Sequence, residues 1–344
     1  MSSRSVYDAA IAGSVLTIAV LVGSRGGRDL DPALFGYLAA TFVAVIAGTA
    51  RVSAFWRRRP SAFYGRALLA GLRDPKRLRR VIGAAGRDLG AQQPIANRSR
   101  TRWLAHLALS FGTLASFAIT LPLVFGWLTF DADGQHTYVP MLAGIPVGRI
   151  AIDGALAWIA FHALSLAGVA VTFGAGFFLL LRLRTRLASR LAGRLTWTDL
   201  APLLLLLAVA LSGLALPASR QSPMAFAVAS AFHELVVIVL LVSLPFTKLA
   251  HVFIRPLQIG VRLVRADDQP RELCAGCGGA LAPSAQIAAV EAMLAARGRH
   301  TAGHRRHCPA CKRRLVAGAH SVELAAATTN VREDFECTLA AEDA

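Results

Sequence analysis

The sequence predicts an all-α integral membrane bundle of about six transmembrane helices, followed by a small cytoplasmic metal-ribbon tail. Three observations carry this reading. There are six apolar stretches of spanning length, arginine is concentrated in alternate connecting segments, and two Cys-x2-Cys pairs lie late in the chain. The apolar stretches fall at about 8–24, 34–50, 104–129, 152–181, 199–216 and 224–248. Roughly 20 apolar residues are needed to cross ~30 Å of hydrocarbon as a helix. Composition agrees: 55% hydrophobic and a mean hydropathy of +0.52 are too apolar for a soluble domain of 344 residues.

The net charge of +17 and pI of about 11.2 would suggest a nucleic-acid partner in a soluble protein. Here the charge is distributed as topology requires. Residues 51–102 hold fourteen Arg or Lys and only Asp74 and Asp88 as acids. The segment after the fourth stretch carries Arg182, Arg184, Arg186, Arg190 and Arg194, whereas the loop after the third has Asp131, Asp133 and a single basic residue, Arg149. Basic loops face the cytoplasm, so alternation places both termini there. The surplus charge suits anionic membrane lipids, and no nucleic-acid partner is expected.

Taken in order, residues 1–50 supply two N-terminal transmembrane helices. The first has the profile of a signal peptide, but no Ala-x-Ala site follows its apolar core and a second apolar stretch comes at once, so it reads as retained. Neither helix carries a histidine, and both are assigned to packing. Residues 51–100 form a basic cytoplasmic linker. Its WRRRPSAFYGRALLAGLRDPKRLRRVIGAA mixes Arg with apolar residues at helical spacing. Amphipathic helices in the headgroup region are the expectation, with docking of a cytoplasmic partner as the alternative.

Residues 101–256 form a four-helix bundle that holds the histidines. HELVVIVLLVSLPFTKLAH runs from His233 to His251. A separation of 18 residues is five helical turns, so one continuous helix would present both imidazoles on one face, about 27 Å apart. His106 sits just inside the boundary marked by Arg100 and Arg102. His162 lies ten residues after Ile152, on the outer side. The passages HLALSFG (106–112) and HALSLAG (162–168) echo one another, each with a glycine six residues after its histidine; such glycines admit a flat ligand or a neighbouring backbone. Depth pairs His106 with His251 at the cytoplasmic edge, and His162 with His233 in the outer half. Polar groups inside a bilayer are functional candidates by default, and imidazoles facing each other at one depth are haem b ligands. One or two bis-His haems are therefore expected. Glu234 is a candidate proton acceptor or orienting group. Lys248, one turn before His251, snorkels or pairs with a haem propionate. His136 is read as a loop residue.

LPFTKLAHVFIRPL, with a histidine 18 residues before its own His251, resembles the nitrate reductase gamma subunit superfamily of membrane cytochromes b. TWTDLAPLLLLLAVALSGL is similar to that family's penultimate helix, and RTRWLAHLALSFG to the start of its ligand-bearing helix. The resemblance covers about 100–256. It implies haem b on His106, His233 and His251, quinol chemistry near the outer haem, and electron transfer to a cytoplasmic Fe–S or reductase subunit in a prokaryotic plasma membrane. The family has a second histidine ten residues after the first on this helix, where Ser116 stands here. His162 is the expected replacement, as in six-helix relatives associated with heterodisulfide-reductase-like and sulfite-reductase complexes.

All five cysteines lie beyond residue 273, on the expected cytoplasmic side, where metal ligation is favoured over disulfides. CAGC (Cys274, Cys277) and CPAC (Cys308, Cys311), with 30 residues between the pairs, place four thiolates around one ion within residues 266–315. Zinc in a structural ribbon is one reading; iron, as a rubredoxin-like centre or Fe–S cluster, is the other. His304 and His307 are close enough in sequence to substitute. Residues 316–344, which include Cys337, form an acidic end read as disordered.

No nucleophile triad, P-loop or dinucleotide fingerprint appears, so an electron-transfer subunit is expected rather than a complete enzyme. It would exchange electrons between membrane quinone and a cytoplasmic partner. The rival readings are a haem-free membrane scaffold with a zinc ribbon and a proton-coupled transporter.

Overall fold

The computed structural model describes residues 3–134, 136–188, 197–266, 270–299 and 303–322. The chain divides into two compact units. The first comprises Met1–Arg57 and Ile82–Pro256; the second joins Arg58–Val81 to the residues from Leu257 onward.

The first unit is built from α1 (Ser3–Gly23) and α2 (Phe35–Trp56), then, beyond an excursion into the second unit, α6 (Arg100–Val124), α7 (Ala155–Ala188), α8 (Trp197–Ser219) and α9 (Pro223–Ser243). All six are long and apolar enough to cross a membrane, as expected of a multi-pass membrane protein. A helix satisfies its own backbone groups, which hydrocarbon cannot do. Side chains such as Val15, Ile18, Val169 and Val228 stand exposed on the outside, a surface that suits lipid rather than water.

Neighbours in the bundle do not follow chain order. Contacts run α1–α2–α9–α8–α7–α6, and Val124 and Phe125 at the end of α6 return to Val20 of α1. Small residues set the closest approaches. Ala105 and Ala175 are fully buried. A Cβ on Gly174 of α7 would lie 2.6 Å from the Ala105 carbonyl of α6, and one on Gly112 of α6 would lie 2.9 Å from the Ala167 carbonyl of α7. Gly168 faces Leu214 of α8. Both glycines of the histidine–glycine echo therefore serve helix packing.

At one end of the bundle Asp8 of α1 accepts hydrogen bonds from Ser53 of α2 and from Arg57, the residue that caps α2. At the other end the α6–α7 connection, expected as a loop, is a small antiparallel sheet. Its strands are β1 (Leu128–Asp133), β2 (Thr137–Leu142), β3 (Ile145–Pro146) and β4 (Ile150–Ala151). β1 pairs along β2 from Leu128↔Leu142 to Asp133↔Thr137, and β3 and β4 share the other edge of β2. His136 lies in the β1–β2 turn. The sheet seats on the α1–α2 connection. Trp127 donates its indole N–H to the Ala19 carbonyl at 3.0 Å, and Arg25, held by Asp29, lies against Gly144. Gly144, at φ +78°, has no room for a Cβ.

The continuous helix expected from His233 to His251 is broken. α9 stops at Ser243, and a 3-10 turn (Lys248–Ala250) precedes the short α10 (His251–Ile254). Fully buried Pro245 has no N–H to continue the ladder, and its ring crowds the preceding turn. Thr247 then restarts the chain, its hydroxyl accepting from the Leu249 N–H. The two histidines are thus not displayed on one straight face.

Part of the expected linker, Arg58–Val81, belongs to the second unit. α3 (Arg59–Arg73) packs along α11 (Leu257–Ala266). Tyr64 and Leu68 of α3 are buried, as are Leu257, Ile259 and Leu263 of α11. A Cβ on Gly260 would lie 2.2 Å from the Tyr64 carbonyl oxygen. Tyr64 and Leu68 of α3 are therefore covered by α11, while Leu69 and Leu72 stand exposed. α4 (Pro75–Ala85) and the short α5 (Gln93–Ala96) complete the former linker. Beyond α11, β5 (Arg271–Leu273) and β6 (Ala280–Pro283) form a hairpin, and α12 (Ser284–Ala295) packs on α3. A last helix occupies 309–322, so the first residues of the expected disordered end are helical. Cys337 and the acidic terminus lie outside the described residues.

Candidate functional site

At the arginine-rich end of the first unit the helices line a half-open cavity of about 620 Å³, within the ~300–1,000 Å³ of cofactor and small-molecule sites. Its walls are apolar: Leu109, Phe178, Leu203, Leu206 and Ile254. Among them stand His106 of α6 and His251 of α10, and Arg51, Arg182 and Lys248 add positive charge. Arg51 lies over the Phe246 ring at 5.7 Å. Lys248 pairs with the Asp199 carboxylate, and Arg182 donates to the Asp199 carbonyl. Of the sequence-predicted residues, His106, His251 and Lys248 are brought together here.

The ring nitrogens are differentiated. Nδ1 of His106 lies 2.7 Å from the Gln92 side-chain oxygen, and Nδ1 of His251 lies 2.7 Å from the Lys248 carbonyl. Each acceptor oxygen fixes its Nδ1 as the protonated nitrogen, leaving Nε2 as the free lone pair. The His106 ring also meets Phe178 edge-on, with centroids 6.0 Å apart. Gln92 was not legible as a site residue. It sits in the AQQP turn, fourteen positions before its histidine.

The outer pair is not assembled. His162 is exposed, donates Nδ1–H to the Trp158 carbonyl at 2.8 Å and stacks on the Trp158 ring at 4.5 Å. It lies nine residues, two and a half turns, before buried Val171, and so on the opposite face of α7. His233 faces α8 instead, with Nδ1 2.9 Å from the Ser212 hydroxyl and its ring against Gly213. α8 packs on both α7 and α9, the helices that carry the two histidines. Glu234 turns toward α2. A Cβ on Gly36 would lie 2.2 Å from its carboxylate oxygen, and glycine there makes room for the acid.

In the second unit the four sulfurs of Cys274, Cys277, Cys308 and Cys311 all lie within 4.8 Å of one another, and those of Cys277 and Cys308 are 3.8 Å apart. Cys274 and Cys277 occupy the β5–β6 turn, where Cys274 N–H donates to the Gly279 carbonyl at 2.8 Å. Cys308 and Cys311 begin the 309–322 helix, whose N-terminal dipole favours thiolates. The Cys308 N–H donates to the Cys274 sulfur at 3.2 Å and pulls that thiol down to about 6. The Cys311 N–H lowers Cys308 likewise. The proton load falls on Cys311, which its three sulfur neighbours push up to about 12. Thiols crowded in this way bind a metal ion such as zinc. His307 donates Nδ1–H to the Gly303 carbonyl at 3.1 Å, and the four-sulfur set is complete without it. The His304 side chain lies outside the described residues.

Fold and site together define a multi-pass helical membrane protein with a four-cysteine metal-binding set. Comparison with protein-family models, with curated proteins and with solved structures finds no match to this chain.

Proposed function

We propose that this protein is a membrane cytochrome b subunit exchanging electrons between the membrane quinone pool and a cytoplasmic redox partner, as its resemblance to the nitrate reductase gamma superfamily implies. The observation that carries the reading is the convergence of His106 and His251, each tethered through Nδ1, on one apolar cavity with a basic rim. Haem b, when bound, supplies a one-electron carrier. His106 and His251 would hold it, and Arg51, Arg182 and Lys248 would meet its propionates. The leucine and phenylalanine walls exclude water and lower the local dielectric. One haem per chain is the expectation, since His162 and His233 are engaged separately. The arginine-rich end is placed in the cytoplasm by the positive-inside rule, in a prokaryotic plasma membrane. Zinc is the ion assigned to the four cysteines, as a structural crosslink of the second unit.

The test is a dithionite-reduced minus oxidised spectrum of the purified chain, with extracted haem counted per polypeptide. A haem b signal at about one per chain supports the reading. A colourless protein from haem-replete cells ends it and leaves a zinc-bearing membrane scaffold.

A further inference from the structure

We infer that Gln92 is a positioning residue for His106, fixing the imidazole as its Nδ1–H tautomer and leaving Nε2 as the nitrogen free to ligate. The inference deepens the cytochrome reading and takes that role for His106 from it. The tautomer itself is a property of the bare chain.

The amide of Gln92 has a defined orientation. The Ser110 hydroxyl donates to the His106 carbonyl at 2.7 Å, so its oxygen is left to accept the Gln92 amide N–H at 2.7 Å. That contact turns the other end of the amide, the oxygen, toward His106 Nδ1 at 2.7 Å. The Gln92 amide, the Ser110 hydroxyl, the His106 carbonyl and His106 Nδ1 thus form one connected hydrogen-bond network. Gln92 is only 4% exposed, so water does not substitute for it.

The backbone is shaped to the same end. Gln92 has φ +50° and ψ +38°, the left-handed region that residues other than Gly, Asn and Asp seldom occupy. Two contacts hold it there. Its carbonyl accepts the Ile95 and Ala96 N–H groups, and the Trp103 indole N–H clamps the preceding Ala91 carbonyl at 2.7 Å. Strain at a buried glutamine whose side chain meets a cavity-lining histidine is what a positioning role requires. A neutral amide oxygen polarises the Nδ1–H bond moderately. A carboxylate in its place would give the ring more imidazolate character, and a leucine none.

The experiment compares the full-length native chain with Gln92→Glu and Gln92→Leu in detergent, by two readouts. Haem midpoint potential should fall in Gln92→Glu and rise in Gln92→Leu at unchanged haem stoichiometry. Histidine 15N shifts of the haem-free chain, with the His106 signal assigned by its loss in His106→Asn, should show Nδ1–H in the native protein and in Gln92→Glu. A tautomer mixture should appear in Gln92→Leu. Equal potentials across all three chains overturn the inference, as does an unchanged His106 tautomer in Gln92→Leu. If the native chain holds no haem, the cytochrome reading fails, and the nitrogen shifts alone decide whether Gln92 sets the tautomer. If Gln92→Leu does not fold, the sign of the Gln92→Glu potential shift decides.

Discussion

The sulfurs of Cys277 and Cys308, 31 positions apart in the sequence, stand 3.8 Å from each other. That is the edge of a tetrahedron whose centre lies ~2.3 Å from each corner, the Zn–S bond length. The purified chain should therefore carry one zinc. Cys277→Ser should lose it and soften the β5–β6 hairpin, read by metal analysis and by protease sensitivity confined to the region after Leu257. Retention of stoichiometric metal in Cys277→Ser would show that another ligand closes the site.

The two histidine positions should behave differently. His251→Ala should abolish haem binding, because it removes a ligand from the cavity. His162→Ala should leave haem content within error of the native chain, since that ring is exposed and stacked on its own helix. Pyridine haemochrome counts on both variants settle this, and loss of haem in His162→Ala alone would reverse the assignment.

Gly174→Ala should cost about 1–3 kcal/mol, the usual penalty of overpacking. The new methyl meets backbone rather than a side chain that can turn aside: the Ala105 carbonyl at 2.6 Å and the Leu109 N at 2.8 Å. Ala105 precedes His106, so haem retention should weaken together with the thermal midpoint in detergent. A midpoint equal to the native chain's would mean that α6 and α7 separate without penalty.

Asp29 gives a pH dependence of definite sign. Its hydrogen bonds with Arg25, at 2.5 and 2.7 Å, hold the carboxyl below its ordinary 3.8. A carboxylate lowered on folding stabilises the protein above the unfolded value and loses that contribution as pH falls through the folded one. The difference in thermal midpoint between the native chain and Asp29→Asn should be constant from about pH 8 to 5 and close below about pH 4. A gap still full at about pH 3 would assign the effect to shape rather than charge.

Hydropathy alone located all six spans, because hydrocarbon imposes length and apolarity on each helix separately. The four-cysteine set was equally legible, since two knuckles define a tetrahedral site wherever the intervening chain runs. What depends on neighbours was not. The 18-residue spacing of His233 and His251 implied one helical face, but Pro245 breaks that helix. His162 matched His233 in depth, yet depth carries no azimuth, and the two rings face different ways. The sheet between α6 and α7 was hidden by its short strands, although Asp133–Gly134 is a hairpin signal. Gln92 escaped notice because its partner is set by a strained turn that no periodicity records.

Arg73 ends α3, and Leu257 begins α11, its packing partner, 184 positions later. At ~5–20 residues per second a ribosome needs about 10–40 s to make that interval. Throughout it, Tyr64 and Leu68 have no α11 to cover them. The arginines interleaved with that apolar face suit a stay on the membrane surface in the meantime. The second unit is therefore completed only after the last four spans have been synthesised. A chain truncated before Leu257 leaves α3 without its cover.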